Sequence, residues 1–219
     1  MSNKAFTIDI YSDVVCPWCY VGKRRLERAL TESKDAVKVE IAWRPFQLNP
    51  TMPNEGLERR AYLEAKFGSL DTFRQMEEQV LAAGAEEHIP FAFDKIARTP
   101  NTFLAHRLIW HAGQQGCQNA IVDSLFQGYF EEGADIGSLS VLAQLAECAG
   151  LKAEPFLRGQ DGTAEVRAEE SAGNRLGIRS VPYFLLNGIY ALSGAQSPDR
   201  FVAAFKKVEV DQLTRKAGA

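Results

Sequence analysis

Two cysteines three positions apart, Cys16-Pro17-Trp18-Cys19, separate two runs of different period. Phe6-Thr7-Ile8-Asp9-Ile10-Tyr11 before them alternates apolar and polar residues, as a strand does. Val21 to Leu30 after them repeats at helical spacing. Cys16 therefore falls at a helix N-terminus, where free N–H groups and the positive end of the dipole favour an anion. A thiol so placed ionises more readily, and the thiolate is the reactive species. Pro17 fits the first turn, where its missing N–H costs nothing. Cys19, Gly22, Leu26 and Ala29 share the inward stripe, with Lys23, Arg24, Glu27 and Arg28 on the other side. This phase predicts an exposed attacking thiol, Cys16, and a shielded resolving thiol, Cys19.

A zinc site needs a second ligand pair. Cys117 and Cys148 are far apart, and His88, His106 and His111 make only a loose pair, so redox chemistry is the stronger reading and no metal is expected. Cys148 is placed in the core with Val141 and Leu145, and Cys117 at a partly exposed loop. Net charge is −3, from 25 basic and 28 acidic residues, which argues against nucleic acid or an anionic membrane as partner. No apolar run reaches the length of a membrane span. The start, Met1 to Phe6, has no apolar signal segment, so the expected location is cytoplasmic. There a C-x-x-C is catalytic or redox-sensing more often than structural. The sequence implies no oligomeric state.

Residues 5–12 predict a strand, 16–33 a helix, and Val37, Val39, Ile41 and Trp43 a second strand, which makes a β-α-β unit. Pro45, Pro50 and Pro53 close it, and a helical block follows. Asn54 is the expected cap of a helix ending at Gly68. Leu70, Phe73, Met76, Val80 and Ala83 form the next stripe. Phe91-Ala92-Phe93 reads as extended. Asn101 caps the helix through Ala105 and Leu108, Ile121 to Tyr129 form another, and Ser138 caps a third. After a helix from Val166 to Leu176, Val181-Pro182-Tyr183-Phe184-Leu185-Leu186 reads as a central strand. Asn187-Gly188 is a hairpin turn, Ile189 to Leu192 its antiparallel partner, and Ser197-Pro198-Asp199 opens the last helix. The predicted fold class is α/β: a thioredoxin-like fold (β-α-β … α-β-β-α) from residues 1–50 and 161–219, with an inserted all-helical domain at 51–160. Pro182 lacks an N–H for a ladder and belongs at a strand end.

Asp13-Val14-Val15-Cys16-Pro17-Trp18-Cys19-Tyr20-Val21-Gly22 resembles the DsbA-like thioredoxin superfamily, and most closely its FrnE-like branch. Trp43-Arg44-Pro45-Phe46-Gln47-Leu48-Asn49-Pro50, Asn101-Thr102 with Ala105-His106-Arg107, Tyr129-Phe130 with Gly133 and Asp135-Ile136, and Val181-Pro182-Tyr183-Phe184 with Gly194-Ala195-Gln196 carry the same likeness. It implies dithiol–disulfide exchange, with Cys16 as nucleophile, Cys19 as resolving thiol and Pro182 as a cis proline. Pro17, Trp18, Val181 and Pro182 would contact the substrate, the backbone of Val181 facing an extended chain. It implies no cofactor, with glutathione or a thiol- or disulfide-containing protein as redox partner. Trp18 stands where strongly oxidising relatives carry histidine. The expected potential lies between the values of about −120 mV for DsbA and about −270 mV for thioredoxin. Two rival functions share this architecture or surface. Glutathione-dependent isomerases and transferases of the 2-hydroxychromene-2-carboxylate isomerase and kappa types carry serine at the Cys16 position. A chaperone-like module would use an apolar groove of Trp18, Phe46 and Tyr183.

Overall fold

The structure is a computed structural model that describes residues 6–33 and 39–217. Of the predicted strand residues, Ala5, Val37 and Lys38 lie outside the described residues, as do residues 1–4 and 34–36 of the 1–50 segment and 218–219 of the 161–219 segment. The chain opens with β1 (Phe6–Ser12), α1 (Pro17–Glu32) and β2 (Val39–Pro45). A long segment follows: β3 (Leu57–Glu58), α2 (Arg59–Phe67), α3 (Leu70–Glu86), a 3-10 turn (Phe93–Lys95) and β4 (Arg98–Thr99), then α4 (Phe103–Gln114), α5 (Gln118–Phe130), α6 (Leu139–Cys148), α7 (Glu154–Arg158) and α8 (Thr163–Arg175). It closes with β5 (Tyr183–Leu186), β6 (Tyr190–Ser193) and α9 (Pro198–Ala217). One four-stranded sheet, ordered β2-β1-β5-β6, joins the two ends of the chain. β1 runs parallel to β2 and antiparallel to β5. This is the thioredoxin-like arrangement, with the long segment placed between β2 and β5.

The alternation in β1 explains its position. Phe6, Ile8 and Ile10 are buried, and Phe6 meets Phe205 of α9 edge-on at 5.6 Å. On the same side Phe184 of β5 meets Phe201 at 4.8 Å. Tyr11 points to the opposite face and packs on Tyr183 at 6.4 Å. Arg44 ties β2 to β1 through Asp9 and to α8 through Glu169, at 2.7 and 3.3 Å. Asn187 and Gly188 both take positive φ, 50° and 68°, the turn that matches strand twist in a tight hairpin. The Asn187 side chain also accepts the Thr7 N–H at 2.8 Å, fixing the register of β1.

The outer edge of β2 is not left open. Gln118 Oε1 accepts the Trp43 N–H at 2.8 Å, and its Nε2 donates to the Trp43 carbonyl at 3.2 Å. One amide thus replaces a neighbouring strand and blunts the edge. Aromatic packing seats the long segment on α1. Tyr20 stacks on Phe126 at 5.0 Å and on Phe130 at 6.2 Å, and Phe91 meets it edge-on at 6.0 Å.

Several expectations change. The inserted segment is not all-helical: β3 and β4 form a two-stranded antiparallel ribbon within it. Asn54 caps no helix. α2 begins at Arg59, where the Glu58 carboxylate accepts the Arg60 and Ala61 N–H groups. Phe91 to Phe93 is not an extended strand, since these two rings stack at 4.9 Å and Phe93 opens the 3-10 turn. Ser138 precedes α6 as expected but makes no side-chain cap bond. Met76 is exposed, while Val80 and Ala83 are buried; the Leu70 side chain lies outside the described residues. The strand β5 begins at Tyr183 rather than Val181. Cys148 is exposed, not a core thiol. α6 buries Leu142 and Ala146, and Cys148 lies about 200° round the helix from Ala146.

Lys23 is the sharpest correction. It is 1% exposed, not on a solvated face. The row Tyr20, Lys23, Glu27 faces α5, where Lys23 Nζ pairs with Asp123 at 2.6 Å and with Glu27. Lys23→Met is expected to lower stability by about 1–2 kcal/mol, because Glu27 and Asp123 lose their buried cation and keep only Arg24, at 3.2 and 3.7 Å. Urea unfolding would measure it. An unchanged midpoint would show that the buried cation contributes nothing.

Candidate active site

The strand–helix junction sets the thiol geometry. Cys16 is the residue before α1, with φ −94° and ψ 110°, and Pro17 takes the first helical position. The Cys16 N–H donates to the Asp13 carbonyl and the Cys19 N–H to the Cys16 carbonyl, each at 3.0 Å. All four cysteines are free thiols. Cys16 is 5% exposed and Cys19 1%, so Cys16 does not stand at an exposed tip. Cys16 lines a cavity, whereas Cys19 is not among its lining residues. Burial pushes the Cys19 thiol well up, and the adjacent Cys16 adds to the rise.

The Val181–Pro182 bond is cis. Cys16 Sγ lies 3.7 Å from the Val181 carbonyl oxygen. Pairing of β5 with β1 starts at Tyr183, so Val181 takes no part in that ladder. The Pro182 carbonyl accepts the Gly194 N–H at 2.8 Å. Gly22 allows this approach of α1. A Cβ there would lie 3.0 Å from Pro182 and 3.1 Å from the Phe184 ring.

The cavity has a volume of 210 Å³. Cys16, Pro17 and Trp18 form one wall, and Leu63, Phe73 and Val80 from α2 and α3 roof it. Val181 meets Cys16 from outside this space, and Pro182 does not line it either. Trp18 lines the cavity, but Phe46 and Tyr183 do not, so the three expected groove residues are not one surface. Two groups had no assigned role in the sequence reading. His106 Nε2 stands 3.4 Å from Asp13 Oδ1, both side chains being buried beside the thiol loop. Asp13 Oδ2 accepts the Leu48 N–H at 2.7 Å. The other is Arg59, on the cavity wall. No local pattern marks either, since their partners lie far along the chain. Among the described residues, no three His, Cys, Asp or Glu gather as a metal site, and no helix is long and apolar enough to cross a membrane.

Similarity to known proteins covers almost the whole chain. Residues 7–206 match the DSBA-like thioredoxin domain. An uncharacterised protein of Bacillus subtilis, YwbO, is 29% identical over 213 residues, covering 95% of this chain and 98% of its own. The crystal structure of a probable DsbA oxidoreductase from Streptomyces coelicolor is 33% identical, with TM-score 0.85 over 92% of this chain and 89% of that one. A cytosolic disulfide reductase, DsbM of Pseudomonas aeruginosa, solved with glutathione, shares the fold at 19% identity and TM-score 0.64, covering 94% and 99% of the two chains. With a Cys-Pro-Trp-Cys turn at the first strand–helix junction and a family model matched over most of its length, this chain belongs to the DSBA-like thioredoxin domain family.

Proposed function

We propose that this protein is a thiol–disulfide oxidoreductase that works through Cys16 and Cys19. The observation that carries the reading is the placement of the two sulfurs. Cys16 stands at the start of α1, on a cavity wall and against the Val181 carbonyl, while Cys19 is sealed behind it. The Cys16 thiolate attacks one sulfur of a substrate disulfide. That S–S bond breaks, a substrate thiolate leaves, and a mixed disulfide forms. Cys19 then loses its proton and attacks Cys16 Sγ. The Cys16–Cys19 disulfide forms, the second substrate thiol leaves, and two electrons have passed to the substrate. Two glutathione molecules reverse the enzyme's oxidation through the same chemistry. A glutathione-bound structure of the same fold supports that choice of reductant.

Pro17, Trp18, Val181 and Pro182 are the substrate-contacting set in this reading. Residues 1–50 and 161–219 form the redox core, and 51–160 supplies the roof over the thiols. The reading requires no metal or organic cofactor. The test is a glutathione redox titration of the wild-type protein. One disulfide is expected between Cys16 and Cys19, with a potential between about −270 and −120 mV. A pair that stays reduced throughout that range overturns the proposal. Alkylation of the reduced protein should modify Cys16 before Cys19; the reverse order would overturn the assigned roles.

A further inference from the structure

We propose that the cavity beside Cys16 is a binding site for a small aromatic molecule bearing a carboxylate, with Arg59 as its anion-recognising group. The proposal rests on the redox reading for its chemistry, since the sulfur of such a molecule would face Cys16. The cavity itself rests on geometry alone. Its 210 Å³ is too small for a protein segment. A dry cavity of about 150 Å³ holds benzene, so this one takes a single substituted ring. Trp18, Leu63, Phe73, Val80 and Phe130 give it an apolar lining.

Arg59 is the exception in that lining. Its guanidinium carbon lies 5.5 Å from the Phe93 ring centre and 5.7 Å from that of Phe73. Rings hold it in place, yet among the described residues no carboxylate forms an ion pair with it. One guanidinium donor goes to the Tyr129 hydroxyl, and a cation held by aromatic faces on the cavity wall keeps its other donors for a ligand. The Tyr129 hydroxyl lies close by. Burial pushes that phenol up to about 12, and its O–H donates to the Arg98 carbonyl at 3.5 Å, so it holds Arg59 in place rather than reaching the ligand. Lys66 at the rim adds a second positive charge. The opposing group is Glu77, on the same wall but outside ion-pair distance of Arg59. Burial raises its pKa, while Arg59 and Arg74 lower it.

The reaction balances as follows. A diaryl disulfide accepts two electrons from the Cys16–Cys19 dithiol and leaves as two aryl thiols. Two glutathione molecules then restore the dithiol and become glutathione disulfide.

The experiment compares dithiodibenzoate with its neutral diamide as disulfide substrates. Wild type should favour the carboxylate. Arg59→Gln should raise its KM by about tenfold, the loss of one charge-assisted pair, with the diamide KM and the redox potential unchanged. Arg59→Lys should restore part of the preference, and Glu77→Gln should lower the carboxylate KM. No preference in wild type, or an equal KM rise for both substrates in Arg59→Gln, overturns the proposal. Binding of benzoate and benzamide to wild type, read by calorimetry, separates the two readings. If the cysteines do not cycle, the redox reading falls, and calorimetry alone judges the cavity. Benzoate preference removed by Arg59→Gln supports the site; its absence overturns it.

Discussion

Cys16→Ala is expected to reduce insulin-disulfide reduction at least about a thousandfold, to the level of glutathione alone. The physical reason is that Cys16 is the only motif sulfur facing the cavity, whereas Cys19 is 1% exposed and lies behind it. Cys19→Ala should act differently. The first attack survives, but the second motif thiol is missing, so a mixed disulfide between Cys16 and the insulin chain accumulates and shows in the intact mass. Cys148 is exposed, so both variants are best built on Cys148→Ser to remove background labelling. Retained reduction in Cys16→Ala would end the nucleophile assignment. Glutathione-dependent isomerisation by Cys16→Ser would favour the isomerase and transferase rival instead.

Phe126→Ala is expected to cost about 3–5 kcal/mol. At about 2–4 °C per kcal/mol for a chain of this size, the melting temperature should fall by about 10 °C. Phe126 is fully buried, stacks on Tyr20 of α1 at 5.0 Å and meets Trp43 of β2 edge-on at 6.3 Å. It therefore joins α5 to both the redox helix and the sheet edge. The deleted ring leaves a cavity that neighbours from three elements cannot fill without moving together. Differential scanning calorimetry would measure the loss. A cost below about 1 kcal/mol would mean that the inserted segment is not held to α1 by this stack.

Features with a local cause were legible in the residues. The change of period at Cys16 placed β1 before α1, and Asn187-Gly188 marked a hairpin because both residues tolerate positive φ. The buried partners of Cys19, namely Gly22, Leu26 and Ala29, followed from a single stripe on one helix. The strand-end position of Pro182 followed from its missing N–H. Misplacements occurred where a second helix changed the surroundings. Lys23 was assigned to water because one stripe was assumed, and α5 covers a second face of α1. Asn54 has the chemistry of a cap, but Glu58 is the residue whose carboxylate reaches the first free N–H groups.

Local chain chemistry thus specified a dithiol at a helix start and the sandwich that carries it. These depend on periodicity, capping and turn geometry within a few residues. Packing between distant segments alone decided that Cys16 is roofed rather than exposed, that Val181 meets its sulfur, and that Arg59 lines a mostly apolar cavity beside it. Such contacts arise from shape and aromatic stacking between elements far apart in sequence, and no pattern within either element records them.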